Sequence, residues 1–216
     1  VLAVGLAGPA FANHTSVTVG GSATPAGAVA VTGTNVTDIA FISDRGTELQ
    51  CETSSITGNV LRGASVSVGN VVGSISSLNF SDCIAAGIFD VNVTMNTGDF
   101  TVVEHPAAAG DDVVVDIEVP SASITGTGCS FTASGTVRAL IKEDATEDAI
   151  VELVPVDWNT MSGFDLNIAV GGSGSSCGGE VVNGDAAGAN WVDEFTNPHE
   201  PQFAIDTNGA GAISHS

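Results

Sequence analysis

From Ser16 onward the chain repeats one grammar: short runs of Val, Ile, Phe and Thr separated by Gly, Asn, Asp and Ser. Between 130 and 142, Phe131, Ala133, Val137, Ala139 and Ile141 alternate with Thr132, Ser134, Thr136, Arg138 and Lys142. This is the period of two expected of a strand with one buried and one wet face. Leu140 alone breaks it. Equally clean alternations run through Phe89, Val91, Val93 and Met95, then Val113, Val115, Ile117 and Val119, then Phe164, Leu166, Ile168 and Val170, and these positions are expected to form the core. Strands are expected near 17–19, 28–33, 38–43, 47–53, 59–62, 71–80, 88–95, 101–104, 113–119, 123–125, 130–141, 150–155, 164–170, 180–182 and 191–195. The best helical window, 143–150, reads equally well as a charged hairpin loop, and no fixed-period repeat is present. The pattern predicts an all-β fold, a single antiparallel β-sandwich or partly closed barrel, two architectures that share many short alternating strands.

At the amino terminus, Val1 to Gly8 is small and apolar, and Pro9-Ala10-Phe11-Ala12 ends in the Ala-x-Ala pattern that signal peptidase accepts. Residues 1–12 are therefore expected to be the remnant of a secretory signal peptide, followed by a β-domain over 13–197. After Pro198 and Pro201 the chain turns Gly- and Ser-rich, and 198–216 is expected to be a flexible tail. No stretch approaches the roughly 18 uninterrupted apolar residues of a membrane span.

Cys51, Cys83, Cys129 and Cys177 are an even set without a Cys-x-x-Cys pair, which in an exported chain points to two disulfides rather than zinc. Four cysteines allow three connectivities. The sequential pairing is the expectation.

The segments Gly73-Ser74-Ile75 to Phe80-Ser81-Asp82-Cys83, Ile124-Thr125-Gly126-Thr127-Gly128-Cys129-Ser130-Phe131 and Cys177-Gly178-Gly179 with Val182-Asn183-Gly184-Asp185 resemble a group of uncharacterised secreted four-cysteine proteins of actinobacteria. The likeness covers roughly 38–195. It implies export, two disulfides and a compact β-rich domain, and it carries no catalytic residue. The chain departs from the group in its acidity and in the length that follows Phe195.

Four Lys and Arg face 25 Asp and Glu, a formal charge of −21. Nucleic acid and anionic bilayers are thereby poor partners, cations, cationic peptides and neutral glycans are left open, and the charge itself is expected first to serve solubility or adaptation to salty surroundings. Among candidate chemistries, a Ser-His-Asp set lacks a Gly-x-Ser-x-Gly elbow and a well-placed histidine, since His14 lies beside the expected mature N-terminus, His199 and His215 fall in the expected tail, and only His105 sits within the body of the domain. Trp158 and Trp191 are the rings available for sugar stacking. Calcium, which takes several carboxylate and carbonyl oxygens, would draw on the acidic loops through Asp111, Asp112, Asp144, Asp148 and Asp185, although none matches an EF-hand. The expected function is that of a non-enzymatic extracellular or cell-envelope β-sandwich binding a protein, glycan or cation through its surface. A carboxylate-based glycan hydrolase is the competing reading, and an oligomerising membrane-active β protein is the third.

Overall fold

Period-two alternation becomes strand almost throughout. The computed structural model describes residues 16–96, 98–104, 112–144, 146–154, 165–172, 174–189 and 201–215. Its strands are β1 (Val17–Val19), β2 (Gly27–Asn35), β3 (Ile39–Ser43), β4 (Glu48–Arg62), β5 (Val71–Ala85), β6 (Phe89–Asn96), β7 (Asp99–Glu104), β8 (Val113–Gly126), β9 (Cys129–Lys142), β10 (Ala149–Val154), β11 (Leu166–Ala169), β12 (Ser175–Ser176), β13 (Val181–Val182), β14 (Ala186–Ala189), β15 (Gln202–Asp206) and β16 (Ile213–His215).

Four long strands of 14 or 15 residues, β4, β5, β8 and β9, run the length of the molecule. Between them, each remaining position of the sheet is filled by two short strands placed end to end. β7 and β6 lie between β5 and β8. On the other side, β10 with β11, β15 with β14, and β2 with β3 lead from β9 round to β4. Because β4 also pairs with β5 and β8 with β9, the antiparallel ladders close into a ring at both levels. We call the level of β2, β7, β10 and β15 the upper half and that of β3, β6, β11 and β14 the lower half. The fold is thus a closed barrel, not a sandwich of two separate sheets. Closure of this kind removes the edges on which other chains would otherwise pair.

Bulges let the long strands serve both halves. Two breaks read from the sequence, 54–58 and 120–122, lie inside β4 and β8 and are register shifts within continuous strands. At the first, a Cβ on Gly58 would run into the Ser74 carbonyl, so only glycine lets the two backbones approach there. At the second, Pro120 has no N–H to give, and the bulge is where a ladder tolerates that. The described residues of the turn between β9 and β10, 143, 144 and 146–148, are not helical.

Inside the ring, Val91, Val93, Val113, Val115, Ile117, Val119, Leu166 and Ile168 are buried as the alternation requires, with Phe89, Met95 and Val170 packed against them. Phe164 and the strand expected at 191–195 lie outside the described residues, as do residues 1–12. Leu140 breaks the pattern because it faces outward, where Val114 and Val154 from the flanking strands, joined by Val103, bury it in a small second cluster.

The flexible tail expected over 198–216 is overturned. β15 inserts between β10 and β2 and buries Phe203 and Ile205, 1% and 3% exposed. β16 pairs with β1, where the Thr18 and Ser214 hydroxyls meet at 2.6 Å. Gln202 to Asp206 is itself an alternating pentad, and the Gly-rich stretch after it is a tight turn that returns the chain. The domain therefore runs through residue 215.

Both disulfides form, in the sequential pairing, with all four cysteines buried. Cys51 and Cys83 are direct neighbours across β4 and β5. Cys129 and Cys177 tie the β8–β9 hairpin to the 3-10 turn Cys177–Gly179. In the chain-entropy model, closing loops of 32 and 48 residues stabilises the fold by about 4 kcal/mol each.

Phe203→Ala is expected to cost about 3 to 5 kcal/mol in denaturant-induced unfolding, as for a fully buried core ring; a loss under about 1 kcal/mol is what a loosely attached tail would give. The Cys51→Ala/Cys83→Ala double variant is expected to lose about 2 to 5 kcal/mol. Unfolding midpoints that stay equal in oxidised, reduced and variant protein would contradict that.

Candidate functional site

The scarcity of basic residues makes their placement informative. On the outer face, Arg138 stands opposite Asp116 in the β8–β9 ladder and forks onto its carboxylate, Nε donating to Oδ1 at 2.9 Å and Nη2 to Oδ2 at 3.2 Å. Lys142 Nζ lies 2.6 Å from Glu152 Oε2, and Gln202 Nε2 donates to the same oxygen at 2.9 Å. Glu152 is 1% exposed, and an ionised carboxylate at that depth is tolerated only with such partners. Arg45 Nε sits 3.9 Å from Asp185 Oδ2, which also accepts the Val182 N–H at 2.8 Å. Arg62 Nε donates to the Pro25 carbonyl at 2.7 Å. Every basic side chain of the protein is thus engaged within the fold, and the two buried acids among the described residues, Glu152 and Asp185, are each met by a cation. The negative excess is left to the exposed acids of the exterior.

The four described calcium candidates, Asp112, Asp144, Asp148 and Asp185, sit in separate surroundings. Asp144 closes the β9–β10 turn, its Oδ1 accepting from the Thr146 N–H, the Thr146 hydroxyl and the Glu147 N–H. Asp148 Oδ2 accepts the Thr207 N–H at 2.8 Å and the Thr207 hydroxyl at 2.6 Å, anchoring the turn between β15 and β16. Asp185 serves Val182 and Arg45, and Asp112 is exposed just before β8. Asp111 lies outside the described residues. Among the described residues no three His, Cys, Asp or Glu side chains form a group able to hold a metal ion. Of the histidines, His215 is buried, with its backbone N–H on Glu143 Oε1 at 3.3 Å and its ring Nδ1 at 3.7 Å from the same atom. His14, His105 and His199 lie outside the described residues, as do Trp158 and Trp191.

A different site emerges inside the lower half. Phe41, Phe80, Met95 and Phe131 face into the ring around a cavity of ≈ 50 Å³, floored by Ala85, Ala122, Ala133 and Ala187 from four different strands. Phe80, Met95 and Phe131 line it yet remain partly exposed, and Ser43, Thr47 and Glu48 of the β3–β4 hairpin border it. That rim is fixed: Ser43 Oγ accepts the Thr47 N–H, and the Thr47 hydroxyl donates to the Glu180 carbonyl at 2.7 Å. Smaller voids of about 20 to 40 Å³ lie in the upper half and at its junction with the lower, lined mainly by larger Val, Ile, Leu and Phe side chains. An apolar void of this size stays dry and, at about 24 cal/mol per Å³, costs about 1 kcal/mol when empty. Alternation along each strand marked Met95 and Phe131 as inward, but the gathering of four alanines around one void is set by register between strands and has no signal within any one of them.

The acid groups of the two turns carry a pH dependence. The Thr207 hydroxyl, and then its N–H, hold Asp148 below the usual aspartate range; for Asp144 the Thr146 hydroxyl leads, followed by the Glu147 and Thr146 N–H groups. A carboxyl with a lowered folded pKa stabilises the fold fully above its unfolded value and loses that contribution as pH falls through the folded value. Asp148→Asn is therefore expected to lower the melting temperature near neutral pH and to shrink its further loss between about pH 5 and pH 2, measured as a thermal-melt series. Curves for variant and wild type that fall in parallel would show that Asp148 carries none of the acid sensitivity. No family model, curated protein or solved structure matches the chain, so a functional reading stands on these residues alone.

Proposed function

We propose that the protein is an exported, non-enzymatic barrel that acts by binding, and that its acidic outer face takes a cationic partner. The observation that carries this is the engagement of all four basic side chains in contacts within the fold, Arg45 and Arg138 with aspartates, Lys142 with a glutamate and Arg62 with a backbone carbonyl. The acids outnumber the basic side chains 25 to four, and three of those four are already paired with carboxylates, so the field outside the ring is negative and draws positive ligands while repelling phosphate-rich ones. The two buried disulfides support an oxidising compartment. A polyvalent cation such as a basic peptide suits this surface better than a single calcium ion, because the acids are spread along strands and turns with no cage among the described residues.

Titration with oligolysine and with oligoglutamate, followed by calorimetry over a salt series, tests the reading. Oligolysine is expected to bind and to weaken as salt screens the charges, with oligoglutamate inert. Equal indifference to both peptides would count against it, and turnover of a polysaccharide abolished by one Asp or Glu substitution would replace it with the hydrolase reading.

A further inference from the structure

We propose that the outer face of the β5–β6 hairpin is the docking point for a basic segment of a partner protein that carries apolar side chains among its cations. Five large hydrophobic side chains are exposed among the described residues, and two of them, Ile84 at 40% and Ile88 at 78%, belong to this one hairpin. Ala85 pairs with Phe89 and Ile84 with Asp90, so Ile84 and Ile88 are diagonal neighbours across the two arms. Ala85 is buried and Phe89 packs against the core, which leaves the alternate positions, Ile84 and Ile88, on the outside. The hairpin that presents them is braced. Ala86 takes the left-handed region at φ 50, followed by Gly87 at φ 69, and the Ala86 N–H donates to the Glu48 carbonyl at 2.8 Å. The Cys51–Cys83 bond ties β5 to β4 one residue before Ile84. An apolar pair on a fixed support has little conformational freedom to lose when a partner covers it.

Charge names the occupant. Asp90 stands opposite Ile84, Asp82 lies two residues before it, and Glu48 holds the turn through its carbonyl, all three side chains being exposed. No Lys or Arg occurs between residues 71 and 96. An acidic partner, an anionic bilayer or a second copy of a chain with formal charge −21 is repelled from this face. A basic segment instead meets carboxylates around an apolar centre, the arrangement that marks an interaction site. The sign of the partner rests on the reading of the acidic exterior given above; the hairpin adds where that partner docks and an apolar part to the contact.

The experiment sets oligolysine beside a peptide with the same number of lysines and a central pair of leucines, each titrated into the oxidised protein and into its Ile84→Ser/Ile88→Ser variant by calorimetry and methyl-detected NMR. Wild type is expected to bind the leucine-bearing peptide about ten-fold or more tightly than oligolysine and to keep that preference as salt is raised, because salt screens the charges and not the apolar contact. The Ile84 and Ile88 methyl signals are expected to move with it. The double variant is expected to bind both peptides alike, at the level of oligolysine on wild type, and to melt no lower, since both side chains are exposed. Should the double variant fail to fold, Ile88→Ser alone carries the test. Equal binding of the two peptides by wild type, a preference that survives in the variant, unmoved Ile84 and Ile88 signals, or a dimer in ultracentrifugation that the variant abolishes would each overturn the assignment while leaving oligolysine binding intact. Indifference to both peptides would remove the acidic-exterior reading and this docking point with it.

Discussion

The ladders that β15 makes with β10 on one side and β2 on the other turn a twisted sheet into a ring, and the rest of the structure depends on them. β15 joins a carboxy-terminal pentad to a strand that begins at Gly27, so closure is achieved by contacts of very large sequence separation. Such contacts carry a larger loop-closure entropy than those of the local hairpins β4–β5 and β8–β9. Phe203 and Ile205 supply the apolar burial that offsets this cost, and the Asp148 bonds to Thr207 hold the chain as it leaves β15 for β16. The Cys51–Cys83 and Cys129–Cys177 bonds brace the other half, the first between two long strands and the second between a hairpin and the excursion from β11 to β14.

Electrostatics works against this compact ring. A large net charge of one sign destabilises a folded chain by self-repulsion, and the few cations available are placed where they do most to relieve it. Arg138 and Lys142 act as cross-strand clips on the face carrying the outer Val114, Leu140 and Val154 cluster, and Lys142 with Gln202 links three adjacent strands through Glu152. What remains is an exterior whose potential is set by carboxylates and an interior set by hydrocarbon.

Much of the fold was legible in the chain because a half-buried strand writes its burial into every second residue. Val113 to Val119 and Phe89 to Met95 needed no further information. The misreadings came from residues that usually punctuate: Ser54 to Gly58 and Pro120 read as turns and are bulges within strands, since a closed ring with two levels needs its long strands to shift register midway. The Gly-rich carboxy terminus read as a tail for the same reason, although Phe203 and Ile205 already carried the alternation. Leu140 was visible as an exception, and its cause lies in Val114 and Val154 on neighbouring strands, which no local pattern joins to it. The candidate site was less legible. Composition exposed the acidity and the cysteines at once, but the partners of Arg45, Arg138 and Lys142 are properties of register, and three of the aspartates that suggested calcium, Asp144, Asp148 and Asp185, are taken up by turns and by Arg45.

Native-state hydrogen exchange of the oxidised protein, resolved by residue, tests the closed ring most directly. If β15 is a stave of the barrel, its protected amides exchange only with global unfolding and share the opening free energy of those in β8 and β9. If instead β15 exchanges many-fold faster while β8 and β9 remain protected, the strand frays independently, the ring is open between β10 and β2, and closure by β15 is not what holds the molecule together.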